Sequence, residues 1–308
     1  MTETNLTDWL LETPTPSIRY LTLRHLLDRS ETDTDVQTAR REMATTGPIP
    51  TILSQQTAGG HWEGEHSFYT PKYRSTHWSL TLLTELAIDR NDPQFQQGVE
   101  FMLADTHNRL TRNLTPEGSH GWLCFWGNLL RYTLHGGKAD DPRVHQILDY
   151  IIRDTQEKHW RCPHNNELPC AWGLARALWG LAAIPAQQRS PEINQVIEKG
   201  LEFLLNSYHL VEADYPTPGK VHTLWSRLNF PLFYQTDVLF ILRLIADLGA
   251  LDHPGAQPAL MWLAERQTNG RWQGASPYRR RTWESLGDRE ETDRWVSLQA
   301  AMILKQAS

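Results

Sequence analysis

The sequence predicts an all-α fold, and more specifically an α/α toroid with an inner and an outer ring of helices. Three observations favour it: prolines recur at a fixed interval, half-polar and strongly apolar helices alternate, and no period-2 segment of useful length indicates a strand. We expect a single domain over residues 1–308, with N-terminal adaptor helices in 1–47 and about five helical hairpin repeats in 48–308.

The N-terminal adaptor comes first along the chain. It contains one segment with apolar residues at helical spacing, PSIRYLTLRHLLD, and a second, more polar segment, DTDVQTARREMA. The repeating part then begins at GPIPTILSQQ, whose prolines are typical of a first helical turn.

The repeat itself is marked by proline. Pro93, Pro142 and Pro191 follow one another at intervals of 49 residues, and Pro254 opens a further copy after a longer interval. Each proline follows a residue that can cap a helix and precedes an amphipathic segment. Because a unit of this length cannot bury its apolar face alone, neighbouring units must pack against each other.

Each proline-initiated helix alternates with a more apolar companion that starts near an aromatic residue. The companion segments are STHWSLTLLTELAI, GWLCFWGNLLRYTLHGG, CAWGLARALWGLAAIP, FPLFYQTDVLFILRLIADLG and DRWVSLQAAMILK. A helix that is apolar on most sides belongs in an interior, and a half-polar helix belongs outside. The alternation therefore predicts the two rings.

Composition excludes several classes of protein. The formal net charge of −6 offers no electrostatic footprint for nucleic acid. No apolar run is long enough to span a membrane, and the N-terminus lacks the pattern of a signal peptide. Three cysteines do not form a disulfide framework, so we expect a reducing, cytoplasmic environment. The sequence does not indicate an oligomeric state.

Three turns run from a glutamine to a tryptophan. In the first and last of them a glycine lies two residues before the tryptophan, whereas the middle turn has Lys158 and His159 in that region. The turns are Gln56–Trp62, Gln156–Trp160 and Gln267–Trp272. They resemble the repeats of the terpenoid-cyclase and protein-prenyltransferase superfamily, and most closely those of small bacterial proteins with squalene-cyclase-type repeats, over roughly residues 48–308. The resemblance implies that the three tryptophans are structural.

The resemblance also implies a central cavity for a hydrophobic isoprenoid. Cyclases of this superfamily that protonate their substrate use a D-x-D-D motif, which this sequence lacks. The nearest match, Asp140 and Asp141, is better explained as a helix cap. Asp237, within an apolar helix, and Glu284, in a loop, are the candidate acids. For Asp237 a structural hydrogen bond to a helix end is the alternative.

Cysteine and histidine form a second constellation. All three cysteines fall in one part of the sequence, and two of them flank a histidine in CPHNNELPC. Thiolates and an imidazole are ligands that zinc prefers, although the spacing is not that of a C-x₂-C clip. The candidate metal ligands are Cys124, Cys162, His164 and Cys170. The alternative is that these are ordinary buried thiols.

Basic and aromatic residues collect where the inner helices are predicted to begin. If those helices run parallel, their N-termini converge on one mouth that favours an anion such as a diphosphate. The aromatic faces are suited to lining a cavity or contacting a cation, and equally to filling a core. The candidate ligand-binding residues are Lys72, Tyr73, Trp78, Trp126, Trp172, Tyr234, Arg281, Arg294 and Trp295.

Three functions follow from these patterns. The first is a small terpene cyclase or prenyl-processing enzyme that binds an isoprenoid or its diphosphate. The second is a non-catalytic binder of isoprenoid or lipid, which fits the missing acid motif. The third is a scaffold that presents a surface to a protein partner.

Overall fold

The computed structural model describes the chain over residues 6–64, 67–113, 120–207, 210, 216–217, 220–283, 286 and 288–308. Within these residues the protein is predominantly helical, which confirms the all-α prediction. The sequence predicted no strands, but two antiparallel ladders of two-residue strands are present. These pair β1 (Arg161–Cys162) with β2 (Leu168–Pro169), and β3 (Pro216–Thr217) with β4 (Lys220–Val221). Ladders this short have no hydrophobic period that a sequence pattern could reveal.

The helices follow one another along the chain with short connections. They are α1 (Leu6–Leu11), α2 (Pro16–Leu21), α3 (Thr34–Thr45), α4 (Pro48–Leu53), α5 (Thr76–Glu85), α6 (Pro93–Asn113), α7 (Leu123–His135), α8 (Pro142–Arg153), α9 (Ala171–Ala182), α10 (Pro191–Glu202), α11 (Val238–Asp247), α12 (Gln257–Glu265) and α13 (Arg289–Ala307). Short π-helical turns follow α2, α8 and α10. In the described part of the chain no helix is long and apolar enough to cross a membrane.

The proline-initiated helices begin in the way that the repeat predicts. Asp141 caps α8 by accepting a hydrogen bond from the backbone N–H of Arg143 at 2.8 Å. Ser190 caps α10 in the same way, with the N–H of Ile193 at 3.3 Å. A proline at the first helical position loses no hydrogen bond there, so cap and proline together fix where each helix starts.

The alternation of helix types corresponds to two packed layers. Helices α5, α7, α9, α11 and α13, here called the inner helices, pack each against the next. Helices α4, α6, α8, α10 and α12, here called the outer helices, each pack against at least one inner helix and expose a polar face. The difference in burial follows from the difference in sequence, since α9 is almost entirely buried whereas α8 buries only one face.

Helices α7 and α9 make the closest of these approaches. A Cβ atom on Gly127 would lie 2.2 Å from the carbonyl oxygen of Arg176, and one on Gly180 would lie 2.6 Å from the carbonyl oxygen of Gly127. Only residues without a side chain allow two helices to cross at this distance. The crossing therefore fixes the N-terminal ends of α7 and α9 relative to each other.

The N-terminal segment packs on the last inner helix. Helix α2 contacts α13. The indole of Trp9 donates to Glu290 at 3.1 Å, and the hydroxyl of Thr13 donates to Glu291 at 2.6 Å. These contacts join the two ends of the described chain.

The first glutamine–tryptophan turn links an outer helix to an inner helix. The indole N–H of Trp62 donates to the carbonyl of Ile52 in α4 at 2.7 Å, and its backbone N–H donates to the hydroxyl of Thr76 in α5 at 3.0 Å. The amide of Gln56 donates to the carbonyl of Gln94 in α6 at 2.8 Å. One turn thus joins three helices.

The last turn repeats this arrangement. The indole of Trp272 donates to the carbonyl of Leu263 in α12 at 2.8 Å, and its backbone N–H donates to the hydroxyl of Ser297 in α13 at 2.9 Å. Both tryptophans are buried. The shared pattern gives these two residues a structural role.

The middle turn departs from the pattern, and a further tryptophan partly reproduces it. The indole nitrogen of Trp160 is buried, and no described residue is its hydrogen-bond partner. By contrast, the indole of Trp225 donates to the carbonyl of Leu210, and its own carbonyl accepts from Val238 at the start of α11. Sequence reasoning missed Trp225 because it lacks the glutamine-to-tryptophan spacing.

Candidate functional site

A cavity of about 480 Å³ lies at the N-terminal ends of α7 and α9. Its walls come from the loop before α5, the first turns of α7 and α9, the β1–β2 hairpin and the loop before α11. The lining residues are Tyr69, Lys72, Trp122, Cys124, Cys162, His164, Asn165, Cys170, Trp172 and Tyr234. A cavity of this size accommodates a small organic molecule.

Four aromatic residues form a large part of the cavity wall. Tyr69 meets Trp122 edge to face with ring centroids 5.6 Å apart, and Trp172 meets Tyr234 in the same way at 6.2 Å. On the hairpin side, Trp122 contacts the ring of His164 at 4.8 Å. Burial raises the pKa values of Tyr69 and Tyr234, so both phenols are neutral over the physiological range.

Lys72 brings positive charge to the rim. Its side chain is exposed, and its ammonium nitrogen lies 4.7 Å from the ring centroid of Tyr234 and 5.8 Å from that of Tyr69. Cation–π attraction holds an ammonium group against such faces. Among the lining residues that the structure describes, none is a carboxylate, so the cavity favours an anion at this edge.

Tyr73 and Trp78 lie behind the wall and do not line the cavity. Tyr73 is buried and stacks on Tyr278 with centroids 4.4 Å apart. Trp78 is fully buried, and its indole donates to the carbonyl of Tyr69 at 2.8 Å. These two predicted ligand-binding residues therefore pack behind the cavity wall and support it.

The three thiols differ in character. Burial raises the pKa of Cys124 to about 12, so that thiol is neutral. The pKa of Cys162 is instead lowered to about 6, first by a hydrogen bond with Cys170, against the opposing effect of burial. Cys170 is the N-cap of α9, where its sulfur accepts the N–H of Gly173 at 3.2 Å.

The four residues expected to bind zinc, Cys124, Cys162, His164 and Cys170, all line the cavity. In the part of the chain that the structure describes, no three His, Cys, Asp or Glu side chains are grouped so that they could hold a metal ion. Of these side chains, Cys170 already accepts the N–H of Gly173 as the cap of α9.

Asp237 is a helix cap and does not reach the cavity. It is fully buried at the start of α11, where one oxygen accepts the N–H of Phe240 at 2.7 Å. The other oxygen accepts the backbone N–H and the side-chain amide of Asn229 at 2.8 and 2.7 Å. The carboxylate expected as a proton donor is thus turned towards the backbone. The second candidate acid, Glu284, lies outside the described residues.

The remaining predicted residues lie away from the cavity. The guanidinium of Arg281 lies over the ring of Tyr73, 4.7 Å from its centroid. Arg294 is buried and pairs with Glu291 at 2.5 Å and with Glu290 at 2.9 Å, so its charge is already neutralised. Neither arginine is among the residues that line the cavity.

Two predicted tryptophans fill other parts of the core. Trp126 packs on Tyr150 with ring centroids 5.2 Å apart. Trp295 stacks on Phe230 at 4.3 Å and lines a smaller cavity of about 220 Å³ at the C-terminal ends of α5, α7, α9 and α11. For both, the core-packing interpretation fits the geometry.

The structure adds three lining residues that the sequence did not single out: Tyr69, Trp122 and Asn165. Tyr69 lies in an irregular segment and Asn165 in a single 3₁₀ turn, so neither belongs to a periodic pattern. Trp122 follows a glycine at the start of α7, and this Gly-Trp pair was the one available signal. Both residues have positive φ, 84° for Gly121 and 58° for Trp122, which turns the tryptophan onto the cavity.

The chain matches no protein-family model, and comparisons with curated proteins and with solved structures likewise find no match.

Proposed function

We propose that the chain folds as an α/α toroid whose aromatic cavity binds a small hydrophobic molecule carrying an anionic group. An isoprenyl diphosphate is the ligand class that the resemblance of the glutamine–tryptophan turns implies. The observation that carries the proposal is the aromatic cavity with Lys72 at its rim.

The toroid proposal is supported by the order of contacts among the inner helices. Each packs on the next from α5 to α13, and Glu85 at the end of α5 pairs with Arg243 of α11 at 2.9 Å. The C-terminal ends of four inner helices border the smaller cavity, together with α13. Such convergence of successive helices is what a closed ring requires.

The binding proposal is supported by the chemistry of the cavity. Aromatic rings offer an apolar surface for a hydrocarbon tail, and Lys72 lies where a head group would reach solvent. Helices α7 and α9 both open onto the cavity with their N-termini, whose dipoles favour negative charge. Charge and apolar surface are thus arranged for an amphiphilic anion.

Binding without acid-initiated chemistry fits this site better than a cyclase does. No described lining residue is a carboxylate, and both oxygens of Asp237 accept hydrogen bonds. A cyclase needs a strong acid that faces the substrate. We therefore favour the non-catalytic binder over the enzyme.

The proposal is tested by titrating the protein with farnesyl diphosphate, farnesol and inorganic pyrophosphate while following tryptophan fluorescence. We expect farnesyl diphosphate to bind most tightly and to quench emission, because Trp122 and Trp172 line the cavity. Lys72→Met should weaken its binding about tenfold and leave farnesol binding unchanged, since only the diphosphate forms a charge-assisted contact.

Lys199→Met is the matched control, because Lys199 is an exposed lysine on the outer helix α10. It should leave all three titrations unchanged. Absence of farnesyl diphosphate binding by folded protein would refute the proposal. Equal weakening by both lysine variants would show that the diphosphate responds only to net charge.

A further inference from the structure

The smaller cavity, here called the C-terminal cavity, lies at the other end of the inner helices from the aromatic cavity. Its volume is about 220 Å³, and its walls come from the C-terminal ends of α5, α7, α9 and α11 and from one side of α13. The two cavities share no lining residue. Because drug-sized ligands occupy pockets of about 300 Å³ or more, this one suits a smaller molecule.

The sequence places charge at this end of helices that are otherwise apolar. Glu85 is the single Asp, Glu, Lys or Arg of α5, and Arg131 is the single one of α7. Helix α11 carries Arg243 and Asp247 in its second half. All four side chains line the C-terminal cavity. Burying charge among apolar helices is costly, so their convergence on one cavity calls for a reason.

The charges on the cavity wall balance. Arg243 pairs with Glu85 at 2.9 Å, and Arg131 pairs with Asp247 at 3.3 Å. Burial opposes the ionisation of Glu85, but attraction by Arg243 lowers its pKa overall, so the carboxylate is charged at neutral pH. Partial burial lowers the pKa of His25, which also lines the cavity, so this imidazole is neutral there. The wall therefore favours neither a net anion nor a net cation.

Two lining side chains each have a buried polar atom without a hydrogen-bond partner among the described residues. These atoms are Oε1 of Glu85 and the indole nitrogen of Trp295. Both side chains are well over nine-tenths buried, with 6% of the Glu85 side chain and 1% of Trp295 exposed. A buried oxygen without a donor and a buried N–H without an acceptor both destabilise the fold until a partner is supplied. The wall thus lacks one donor and one acceptor.

The rim of the cavity is exposed and held in place. Asp247 and Gln306 are exposed lining residues, whereas the two unpartnered atoms are buried. The ammonium group of Lys305 donates to the carbonyls of His25 and Leu26, both at 3.1 Å. This contact fixes the turn after α2 against the end of α13. A small molecule can therefore enter at a rim that is already formed.

We propose that the C-terminal cavity binds a small zwitterion of the size of a free amino acid. Its ammonium group donates to Glu85, and its carboxylate accepts from Trp295 and Arg243. This inference goes beyond the binding of a hydrophobic anion in the aromatic cavity and does not depend on it.

The chemistry of the wall favours a zwitterion over a neutral polar molecule. The missing donor faces an ionised carboxylate, and the C-terminal ends of helices carry partial negative charge, so an ammonium group is preferred there. The last torsion of a glutamate is soft, so a small rotation turns Oε1 of Glu85 towards the ligand. Arg243 donates to Glu85 through Nη1, and a guanidinium has further N–H groups that can bind a carboxylate.

The first experiment measures thermal unfolding of the wild-type protein in each of the standard amino acids at about 10 mM, and calorimetry then gives the Kd of those that stabilise it. We expect at least one amino acid to bind. Its analogues that lack the ammonium or the carboxylate group should bind at least about tenfold more weakly, since each loses a charge-assisted hydrogen bond. If no amino acid binds the folded protein, or if either analogue binds as tightly, the proposal is wrong.

The second experiment locates the binding with a variant that fills the cavity. Ala246 lines the C-terminal cavity, and Ala246→Leu should weaken amino-acid binding at least about tenfold by occupying the space of the ligand. Ala301→Leu is the matched control, because Ala301 is equally half-buried but lies outside the lining. It should bind as wild type does, and so should Lys72→Met, which alters the aromatic cavity. Unchanged binding by folded Ala246→Leu would overturn the assignment to this cavity.

Discussion

At the scale of single residues, Asp237 connects folding to pH. Burial raises its pKa to about 6, and the hydrogen bonds from Phe240 and Asn229 offset only part of this effect. The folded state therefore binds the proton of this carboxyl more tightly than the unfolded state does. The resulting stabilisation is complete below about pH 4 and is lost as the pH rises to about 6.

Asp237→Asn should remove this pH dependence, because asparagine does not titrate. We expect the gap in free energy of unfolding between wild type and variant to narrow as the pH rises from about 4 to about 6. The change should be on the order of 3 kcal/mol, since one pKa unit corresponds to about 1.4 kcal/mol. Denaturant unfolding at a series of pH values measures it.

Asp33→Asn is the control, since Asp33 caps α3 at the exposed surface and asparagine caps a helix equally well. The difference in free energy of unfolding between wild type and Asp33→Asn should not narrow between about pH 4 and about pH 6. If the difference in free energy of unfolding between wild type and Asp237→Asn stays constant or widens as the pH rises, the pKa of Asp237 is not raised in the folded state.

The same scale shows what a sequence can and cannot predict about the site. The sequence grouped the three cysteines with His164 as one constellation, and all four residues line one cavity. The position of Trp122 on the wall of this cavity depends on the loop at Gly121. Positive φ values in a short loop leave no periodic trace in a sequence, so this part could not be predicted.

At the scale of secondary-structure elements, the glutamine–tryptophan turns act as links between outer and inner helices. Trp62→Phe and Trp272→Phe should each lower the free energy of unfolding by about 2 kcal/mol. Each removes an indole N–H and leaves a buried carbonyl, of Ile52 or Leu263, without its donor. Thermal and denaturant unfolding, followed by circular dichroism, measure the loss.

Trp160→Phe is the matched comparison, because the indole nitrogen of Trp160 has no partner among the described residues. This variant should stay within about 0.5 kcal/mol of wild type. If Trp160→Phe costs as much as the other two, the losses reflect ring volume and not the indole hydrogen bond.

The elements also divide into predictable and unpredictable ones. Proline with a preceding cap fixes the start of α8 and α10, because both signals are local. The role of Trp225 depends on the hydrogen bond from its indole to the carbonyl of Leu210. That carbonyl belongs to a different segment of the chain. A link of that kind is visible only once the helices are packed.

At the scale of the whole molecule, the helical patterning of the sequence predicted an all-α fold, and the structure confirms this coarser statement over the residues that it describes. The period of hydrophobicity tells which face of a helix is buried, but not which distant helix covers it. The crossing of α7 and α9 at Gly127 and the pairing of α5 with α11 are therefore properties of the packed molecule.

The ion pair between Glu85 and Arg243 tests how far that packing depends on charge. Glu85 is nearly buried and lies 2.9 Å from the guanidinium of Arg243. Burial alone would raise the pKa of Glu85, but attraction by Arg243 lowers it below its ordinary value. The stabilisation by the Glu85 carboxylate is therefore complete above the ordinary pKa of a glutamate, and it is lost as the pH falls through the lowered pKa of the folded state. This pH dependence is opposite in direction to that of Asp237.

Glu85→Gln should lower the free energy of unfolding by about 3 kcal/mol at neutral pH, because it leaves the Arg243 charge without its partner. Arg243→Met should cost a similar amount, and the double variant should cost less than the two single losses combined. A double-mutant cycle from denaturant unfolding gives the coupling energy. Because the pair joins two inner helices that are not successive along the chain, a coupling energy near zero would mean that this ion pair does not stabilise the arrangement of the inner helices.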